Sequence, residues 1–266
     1  MIHLHKVSVQ FGNLVALHPT TLDFCQGQFT VLLGASGAGK STLLRCLNLM
    51  HTPHAGEVRV DGHGPLQDRK TLQMHRRQTG MIFQQHQLIG RLPALQNVLM
   101  GRLGYHSTLR SLFPLPRAEQ EFALQCLERV GLLDKALTRV DQLSGGQQQR
   151  VGIARALAQR PRLILADEPV ASLDPVSADK VLSLLHRICK EDGITAIVSL
   201  HQLEYARRFA DRVVGLADSQ IVFDAAPSEL TDAQLERIYA GRSTTQPANA
   251  PAEPPVMLEP SLEMSR

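Results

Sequence analysis

The chain has 266 residues, and 43% of them are hydrophobic, which is enough for one or two domains with a core and excludes a wholly disordered polymer. Aromatic residues make up 4% and tryptophan is absent, which argues against a single-strand nucleic-acid binder built on aromatic stacking. The 28 Lys and Arg residues exceed the 25 Asp and Glu residues by only 3. This net charge is too small to indicate, by itself, that the chain binds a polyanion.

An alternating pattern predicts β-strands in the N-terminal segment. Residues 2–4 alternate apolar and polar side chains, and residues 7–11 resume the alternation out of phase. The shift between them, at Lys6, predicts a β-bulge. Residues 58–60 form another short strand pattern followed by turn residues, so we expect an antiparallel β-rich part in this region.

A strand, a glycine-rich loop and a helix follow one another early in the chain. Phe29–Leu33 is a compact apolar strand, and residues 42–50 carry leucines at helical spacing. The glycine-rich loop lies between them. This order predicts the first half of a βαβ unit.

Helix and strand patterns then alternate. Residues 92–160 are mainly helical in pattern, with an amphipathic helix over 117–130. Leu163–Ala166 and residues 194–198 predict buried strands, and a helical pattern over 178–190 separates them. Two such strands around a helix indicate a parallel α/β fold.

The C-terminal segment has a different composition. After Arg242 the sequence is rich in Ser, Thr and Pro and has few residues able to form a core. We therefore expect one folded domain over residues 1–242 and a disordered Pro-rich tail over 243–266. No apolar run approaches the ~18 residues of a membrane span, and the N-terminus lacks the apolar block of a secretory signal, so we expect the chain to stay inside the cell.

Residues 34–41, Gly-Ala-Ser-Gly-Ala-Gly-Lys-Ser, match the phosphate-loop pattern G-x-x-x-x-G-K-[ST]. The glycines allow the loop to wrap a phosphate, and the following helix presents its N-terminus to the anion. We expect Lys40 to reach the β- and γ-phosphates of ATP and Ser41 to ligate Mg²⁺. A glycine-rich turn with an incidental lysine is the alternative, which the flanking strand and helix disfavour. The candidate residues for ATP are Gly34, Ala35, Ser36, Gly37, Ala38, Gly39, Lys40, Ser41 and Thr42.

Two acidic residues follow the predicted strand Leu163–Ala166. Asp167 would support Mg²⁺, and Glu168 is placed to polarise the water that attacks the γ-phosphate. Taken alone, an apolar run before two acids is also typical of a helix N-cap. The upstream glycine loop favours the metal and catalytic roles.

Residues 143–150, Leu-Ser-Gly-Gly-Gln-Gln-Gln-Arg, stand between the glycine loop and the acidic pair. Together with the loop they resemble the signature of the ATP-binding-cassette ATPases, and the resemblance extends over about residues 2–241. It implies an α/β fold, the nucleotide-binding domain of the P-loop NTPase class. This fold has a RecA-like core, an antiparallel β subdomain and a helical subdomain, here about residues 92–160, that carries the signature.

The resemblance implies roles for further residues. Phe11 would stack on adenine, Gln84 would contact Mg²⁺ and the attacking water, and Asp174 would belong to the nucleotide site. His201 would contact the γ-phosphate and steady the water beside Glu168. From the residues alone, the alternatives are a core residue of the first strand for Phe11, a surface amide for Gln84 and a structural histidine for His201.

The resemblance also implies a partner. A signature in a separate subdomain would not reach its own glycine loop, and in the family it completes the site of a second copy. Ser144, Gly145, Gly146 and Gln147 would then contact ATP held by that copy. ATP would join the two subunits, and hydrolysis would release them.

Three more segments narrow the resemblance. Residues 97–105, 167–175 and 199–202 are similar to those of the ATPase subunits of phosphonate importers. This implies a peripheral protein at the cytoplasmic face of the inner membrane, with integral permease subunits as partners. A substrate-binding protein would act indirectly, and no nucleic acid would be bound.

Alternatives remain open at this point. The chain could energise import of another small solute, such as phosphite or phosphate, or act as a non-transport cassette ATPase in a soluble complex. A non-enzymatic binding module is a third possibility. The Leu-rich region over residues 84–105 favours transport, because it suits a permease helix. The presence of Lys40, Asp167, Glu168 and His201 together favours an enzyme.

Overall fold

The computed structural model describes residues 2–62, 64–84, 87–107 and 113–239. The predicted tail, 243–266, lies outside the described residues. The strands are β1 (Ile2–Phe11), β2 (Leu14–Phe24), β3 (Phe29–Leu33), β4 (Ala55–Val60), β5 (Gly64–Pro65), β6 (Thr79–Ile82), β7 (Leu163–Ala166), β8 (Thr195–Ser199), β9 (Arg212–Ala217) and β10 (Gln220–Ala225). The α-helices are α1 (Lys40–Leu47), α2 (Arg69–Arg77), α3 (Ala94–Leu99), α4 (Arg117–Arg129), α5 (Gly145–Ala158), α6 (Pro175–Glu191), α7 (Leu203–Phe209) and α8 (Asp232–Tyr239).

The N-terminal part forms a four-stranded antiparallel sheet in the order β2-β1-β4-β5. The β1–β2 register shifts between Leu4 and Val7, and Lys6 has a left-handed backbone with φ of 48°. The predicted irregularity at Lys6 is therefore confirmed. It shifts the inward face of β1, so that Ile2 and Leu4 before the irregularity and Val7 and Val9 after it are all buried.

The second sheet has six strands in the order β10-β9-β3-β8-β7-β6. Each neighbouring pair is parallel except the antiparallel pair of β9 and β10. The predicted strands Phe29–Leu33 and Leu163–Ala166 have those bounds. The leucine spacing predicts a helix over residues 42–50, but α1 begins at Lys40 and ends at Leu47. Leu49 beyond it has a left-handed backbone with φ of 47°.

Both faces of the parallel sheet are buried. On one face, Val31 and Ile164 pack with α4, α5 and α6 in a large apolar core. On the other face, Leu32 and Leu165 pack with α1 and the antiparallel sheet. Strands covered on both sides explain why their sequences are continuous apolar runs instead of alternating ones.

Helices α3, α4 and α5 pack on one another beside β6. Gly101 lies so close to α5 that a Cβ there would come within 2.3 Å of the Arg155 carbonyl oxygen. The buried Arg102 guanidinium pairs with Glu119 at 2.5 Å and donates to the Ala158 carbonyl at 2.9 Å. These contacts fasten α4 to the end of α5. Among the described residues, no helix combines the length and the apolar character needed to cross a membrane.

Candidate active site

Four candidate segments lie at the carboxyl edge of the parallel sheet. The glycine loop follows β3, His201 lies two residues after β8, the acidic pair follows β7, and Gln84 lies two residues after β6. These strands are consecutive neighbours in the sheet. Loops at this edge of an open α/β sheet form its usual ligand site, so the topology brings sequence-distant segments together.

The glycine loop takes backbone conformations that favour glycine. Gly37 and Gly39 have φ of 81° and 98°, and a Cβ on Gly39 would come within 2.9 Å of the Ala16 carbonyl oxygen. A Cβ on Gly34 would come within 2.4 Å of the Leu216 carbonyl oxygen. The loop is therefore pressed against β2 and β9, and α1 begins directly after it.

Lys40 lies inside the loop. Its side chain is buried, with 3% of the residue exposed, and Nζ donates to the Gly34 and Ala35 carbonyl oxygens at 2.9 Å each. An ammonium group has three protons, so one remains for another acceptor. Burial lowers the pKa of Lys40, and the nearby carboxylates of Glu168 and Asp167 oppose that shift. A buried cation enclosed by a glycine loop fits a bound phosphate chain.

Ser41 and Asp167 meet at the base of the loop. The Ser41 hydroxyl donates to Asp167 Oδ1 at 2.8 Å, and Asp167 is almost fully buried. A hydroxyl and a carboxylate oxygen are ligands that Mg²⁺ accepts alongside phosphate oxygens and water. The residues present therefore fit a magnesium–nucleotide complex. Asp167 does not cap a helix, which removes the N-cap alternative for this position.

Glu168 and His201 form the second contact at this edge. His201 Nε2 lies 2.5 Å from Glu168 Oε1. Glu168 has a left-handed backbone with φ of 46°, an uncommon conformation for a residue with a side chain. The turn carries its carboxylate from the end of β7 toward the segment that follows β8. A carboxylate held by an imidazole can accept a proton from water in front of the glycine loop.

Ser199 lies outside the set of predicted site residues. It ends β8, is fully buried, and hydrogen-bonds to Asp167 Oδ1 and to the Glu168 backbone N–H. The sequence feature that could have indicated a role for Ser199 is a hydroxyl at the end of an apolar strand, two residues before His201.

Two other candidates lie at exposed positions. Gln84 is exposed beyond β6. Phe11 is 48% exposed at the end of β1, and its ring meets the His51 ring edge-on with centroids 5.3 Å apart. This exposure excludes the core-packing alternative for Phe11. The adenine contact stays a prediction.

The signature residues contact the segment around the start of α6. Ser144 caps α5: its hydroxyl accepts from the Gln147 N–H at 3.4 Å, and Gln147 Oε1 accepts from the Ser144 N–H at 2.9 Å. A Cβ on Gly145 would lie 3.3 Å from the Leu173 side chain, and one on Gly146 would lie 3.5 Å from that of Ser177. The signature therefore packs on the segment that leads into α6.

Asp174 has a structural role in this chain. Its carboxylate caps α6 by accepting from the Val176 and Ser177 N–H groups at 3.1 and 3.0 Å. Ser144, Gly146 and Gln147 line a cleft of about 770 Å³ with α6 and the end of α4. Among the hydrogen bonds of the described residues, none joins Ser144, Gln147 or Asp174 to the glycine loop.

Sequence comparison identifies curated relatives that match at least 90% of the chain. The chain is 73% identical over 267 residues to the phosphite import ATP-binding protein PxtA of Stutzerimonas stutzeri, covering 100% of this chain and 97% of that protein. It is 61% identical over 240 residues to a phosphonates import ATP-binding protein, PhnC 3, of a Nostoc species, covering 90% of this chain and 92% of that protein.

Solved structures share the fold. The dimeric post-hydrolysis state of the ATP-binding cassette MJ0796, bound to ADP and Pi, matches with a TM-score of 0.74 at 35% identity, covering 85% of this chain and 99% of that chain. The ADP conformation of the cassette MJ1267 matches with a TM-score of 0.78 at 26% identity, covering 90% and 97%. The family model for ABC transporters matches residues 17–171. The chain therefore belongs to the ABC transporter family, as one of its ATP-binding cassettes.

Proposed function

We propose that this chain is the ATP-hydrolysing subunit of an importer for phosphite or phosphonates. The observation that carries the ATPase role is the Glu168–His201 contact beside the Ser41–Asp167 contact, at the edge that also holds the glycine loop. The substrate class rests on the names of relatives: one at 73% identity is named for phosphite import and one at 61% for phosphonates import. Phosphite thus stands beside the phosphonates expected from the sequence.

The residues of the site divide the chemistry among themselves. The loop N–H groups and Lys40 would bind the β- and γ-phosphates, while Ser41 and Asp167 would hold Mg²⁺. Bound Mg²⁺ would neutralise charge on the phosphate oxygens. Glu168 would orient the attacking water and take its proton, and His201 would hold the Glu168 carboxylate toward it.

A second copy would complete the site. In this proposal Ser144, Gly145, Gly146 and Gln147 contact the nucleotide of the partner, and Asp174 lies at the shared interface. Support comes from the lack of described hydrogen bonds between Ser144 or Gln147 and the glycine loop, and from the dimeric cassette that matches at 35% identity. Hydrolysis would convert the bound ATP to ADP and phosphate, and so break the γ-phosphate link between the two subunits.

Permease subunits are the proposed partners at the membrane. Ile89, Leu103 and Tyr105 are large apolar side chains exposed between β6 and α4, the region that follows Gln84. A permease segment packed there would sense the nucleotide through Gln84. The chain would then be peripheral, on the cytoplasmic face of the inner membrane. A substrate-binding protein would act through the permease, and nucleic acid would have no role.

Growth on a single phosphorus source tests the proposal. A strain that lacks this gene should fail to grow on phosphite or on a phosphonate, and the wild-type gene should restore growth. The Glu168→Gln variant should not restore it. The matched control is Glu121→Gln, the same change on the exposed face of α4. Normal growth of the deletion strain on both compounds, with no second importer gene present, would contradict the proposal.

A further inference from the structure

Ser199 is a buried hydroxyl at the carboxyl edge of the parallel sheet. It ends β8, has 0% of its surface exposed, and stands between the buried residues Val198 and Leu200. A polar group in such a place costs stability unless it is hydrogen-bonded.

Both hydrogen bonds of the Ser199 hydroxyl lead to the candidate active site. The Glu168 backbone N–H donates to Ser199 Oγ at 2.8 Å, and Ser199 Oγ lies 3.0 Å from Asp167 Oδ1. An amide can only donate, so the hydroxyl oxygen accepts from Glu168. The one hydroxyl proton is then donated to the Asp167 carboxylate.

The same carboxylate oxygen links Ser199 to the glycine loop. Asp167 Oδ1 also accepts from the Ser41 hydroxyl at 2.8 Å. One chain of hydrogen bonds therefore runs from the Glu168 backbone through Ser199 and Asp167 to Ser41. These hydrogen bonds connect the end of β8 and the residues after β7 with the start of α1, and so fix the positions of three separate elements relative to one another.

Glu168 needs such a restraint. Its left-handed backbone, with φ of 46°, is unfavourable for a residue with a side chain and persists only where its surroundings enforce it. The hydrogen bond from the Glu168 N–H to Ser199 restrains the backbone at this residue. A shift of that backbone would move the carboxylate that meets His201 at 2.5 Å.

We propose that Ser199 is a positioning residue for ATP hydrolysis, which orients the Asp167 carboxylate and the Glu168 backbone at once. The proposal rests on the ATPase function proposed above. Ser199 touches neither nucleotide nor water in this role. Its loss should therefore lower kcat far more than it changes the KM for ATP. Ser199 also orients Asp167, which is a proposed Mg²⁺ ligand. Loss of the Ser199 hydroxyl should therefore raise the Mg²⁺ concentration needed for MgATP binding.

The test compares Ser199→Thr with Ser199→Val in the full-length chain. The two side chains have nearly the same shape, and only threonine keeps the hydroxyl, so packing changes cancel in the comparison. We expect kcat of the valine variant to be about ten- to a hundredfold below that of the threonine variant, the effect of losing a hydrogen bond to a charged group. The KM for ATP should differ by less than about twofold. Calorimetric titration should show that half-maximal MgATP binding needs more Mg²⁺ in the valine variant.

Thr195→Val supplies the matched control. Thr195 begins the same strand, is buried, and accepts from the Gly27 N–H at 3.0 Å, but at the opposite edge of the sheet. Loss of the Thr195 hydroxyl should lower Tm by about as much as Ser199→Val does, and it should leave kcat unchanged. Ser199→Ala adds a variant without the extra methyl group and should show the same loss of kcat.

The outcomes separate the two proposals. Equal kcat for the threonine and valine variants, or a kcat for Ser199→Ala within about twofold of wild type, would overturn the role of Ser199. An equal loss of kcat in Thr195→Val would also overturn it, because a general loss of stability would then account for the effect. Absence of ATP hydrolysis by the wild-type chain, alone and with its permease, would instead count against the proposed function.

Discussion

The imidazole of His201 lies 2.5 Å from the carboxylate of Glu168, although 33 positions separate them in the chain. The contact joins the segment after β8 to the turn after β7, in front of the glycine loop. It holds the Glu168 carboxylate against the imidazole of His201. In the proposed function, Glu168 is the group that accepts a proton from the attacking water.

Glu168→Gln should keep ATP binding and lose most turnover. The amide has the shape of the carboxylate but cannot accept the proton, so kcat should fall by about a hundredfold or more. ATP affinity, measured by titration, should stay near the wild-type value, and an ATP-bound dimer should accumulate. Wild-type hydrolysis by this variant in the intact transporter would remove Glu168 from its assigned role.

Gly101→Ala should destabilise the helical part. Its Cβ would lie 2.3 Å from the Arg155 carbonyl oxygen, so the backbone of α5 must move, at a cost of about 1–3 kcal/mol in the free energy of unfolding. Gly152→Ala is the control, because nothing lies within 4 Å of its added Cβ and it sits inside α5. It should be neutral or stabilise by up to about 1 kcal/mol. Urea unfolding of the two variants checks both values, and similar stabilities would contradict the close approach.

The stability of the antiparallel sheet should depend on pH through His3. Its Nδ1 lies 2.6 Å from Asp23 and its Nε2 lies 3.0 Å from Asp61, so both ring nitrogens face carboxylates. The hydrogen bond to Asp23 is the largest cause that raises the pKa of His3, and that to Asp61 adds to it. A raised pKa stabilises the fold fully below the unfolded value of 6.5, and this gain is lost as pH rises through the folded pKa.

The comparison uses His3→Gln across about pH 6 to about pH 9. The wild type should lose its stability advantage over the variant as pH rises. The change should be small, because both carboxylates are mostly exposed to water. A constant difference in unfolding free energy over this range would show that His3 does not titrate with these partners.

A chain that ends at Arg242 should fold and hydrolyse ATP normally. Residues 243–266 contain few apolar side chains that could join a core. Thermal unfolding and ATPase assays of the truncated chain check this expectation. A large drop in Tm on truncation would mean that the tail packs on the domain.

Much of the site could be predicted because it depends on local sequence. The glycine loop between Phe29–Leu33 and α1, and the acids after Leu163–Ala166, follow from strand patterns and from the chemistry of phosphate and Mg²⁺. The end of α1 could not be predicted in this way, because the spacing of the leucines does not show that Leu49 adopts a left-handed backbone conformation.

Side-chain contacts between segments far apart in the chain also could not be predicted from the sequence. Ser199 looks like one more strand residue until β7 and β8 are paired, and only then does its hydroxyl face Asp167. The buried Arg102 pairs with Glu119, and a hydrophobicity pattern gives no sign of this contact. Such pairs depend on which elements become neighbours, and a single sequence does not specify this.

If two copies share each ATP, a mixture of two defective subunits should form one intact ATP site. Lys40→Ala should weaken nucleotide binding in its own glycine loop, because it removes the buried charge proposed to bind the phosphates. Ser144→Arg should abolish hydrolysis while its own loop still binds ATP, because the added bulk faces the partner. In the mixed dimer, one composite site carries both defects and the other carries none.

Crosslinking in the presence of ATP and permease measures the pairing. We expect more ATP-dependent crosslinked dimer in the mixture than with either variant alone. Equal crosslinking in all three samples, with both variants folded and Ser144→Arg still binding ATP, would contradict a shared site.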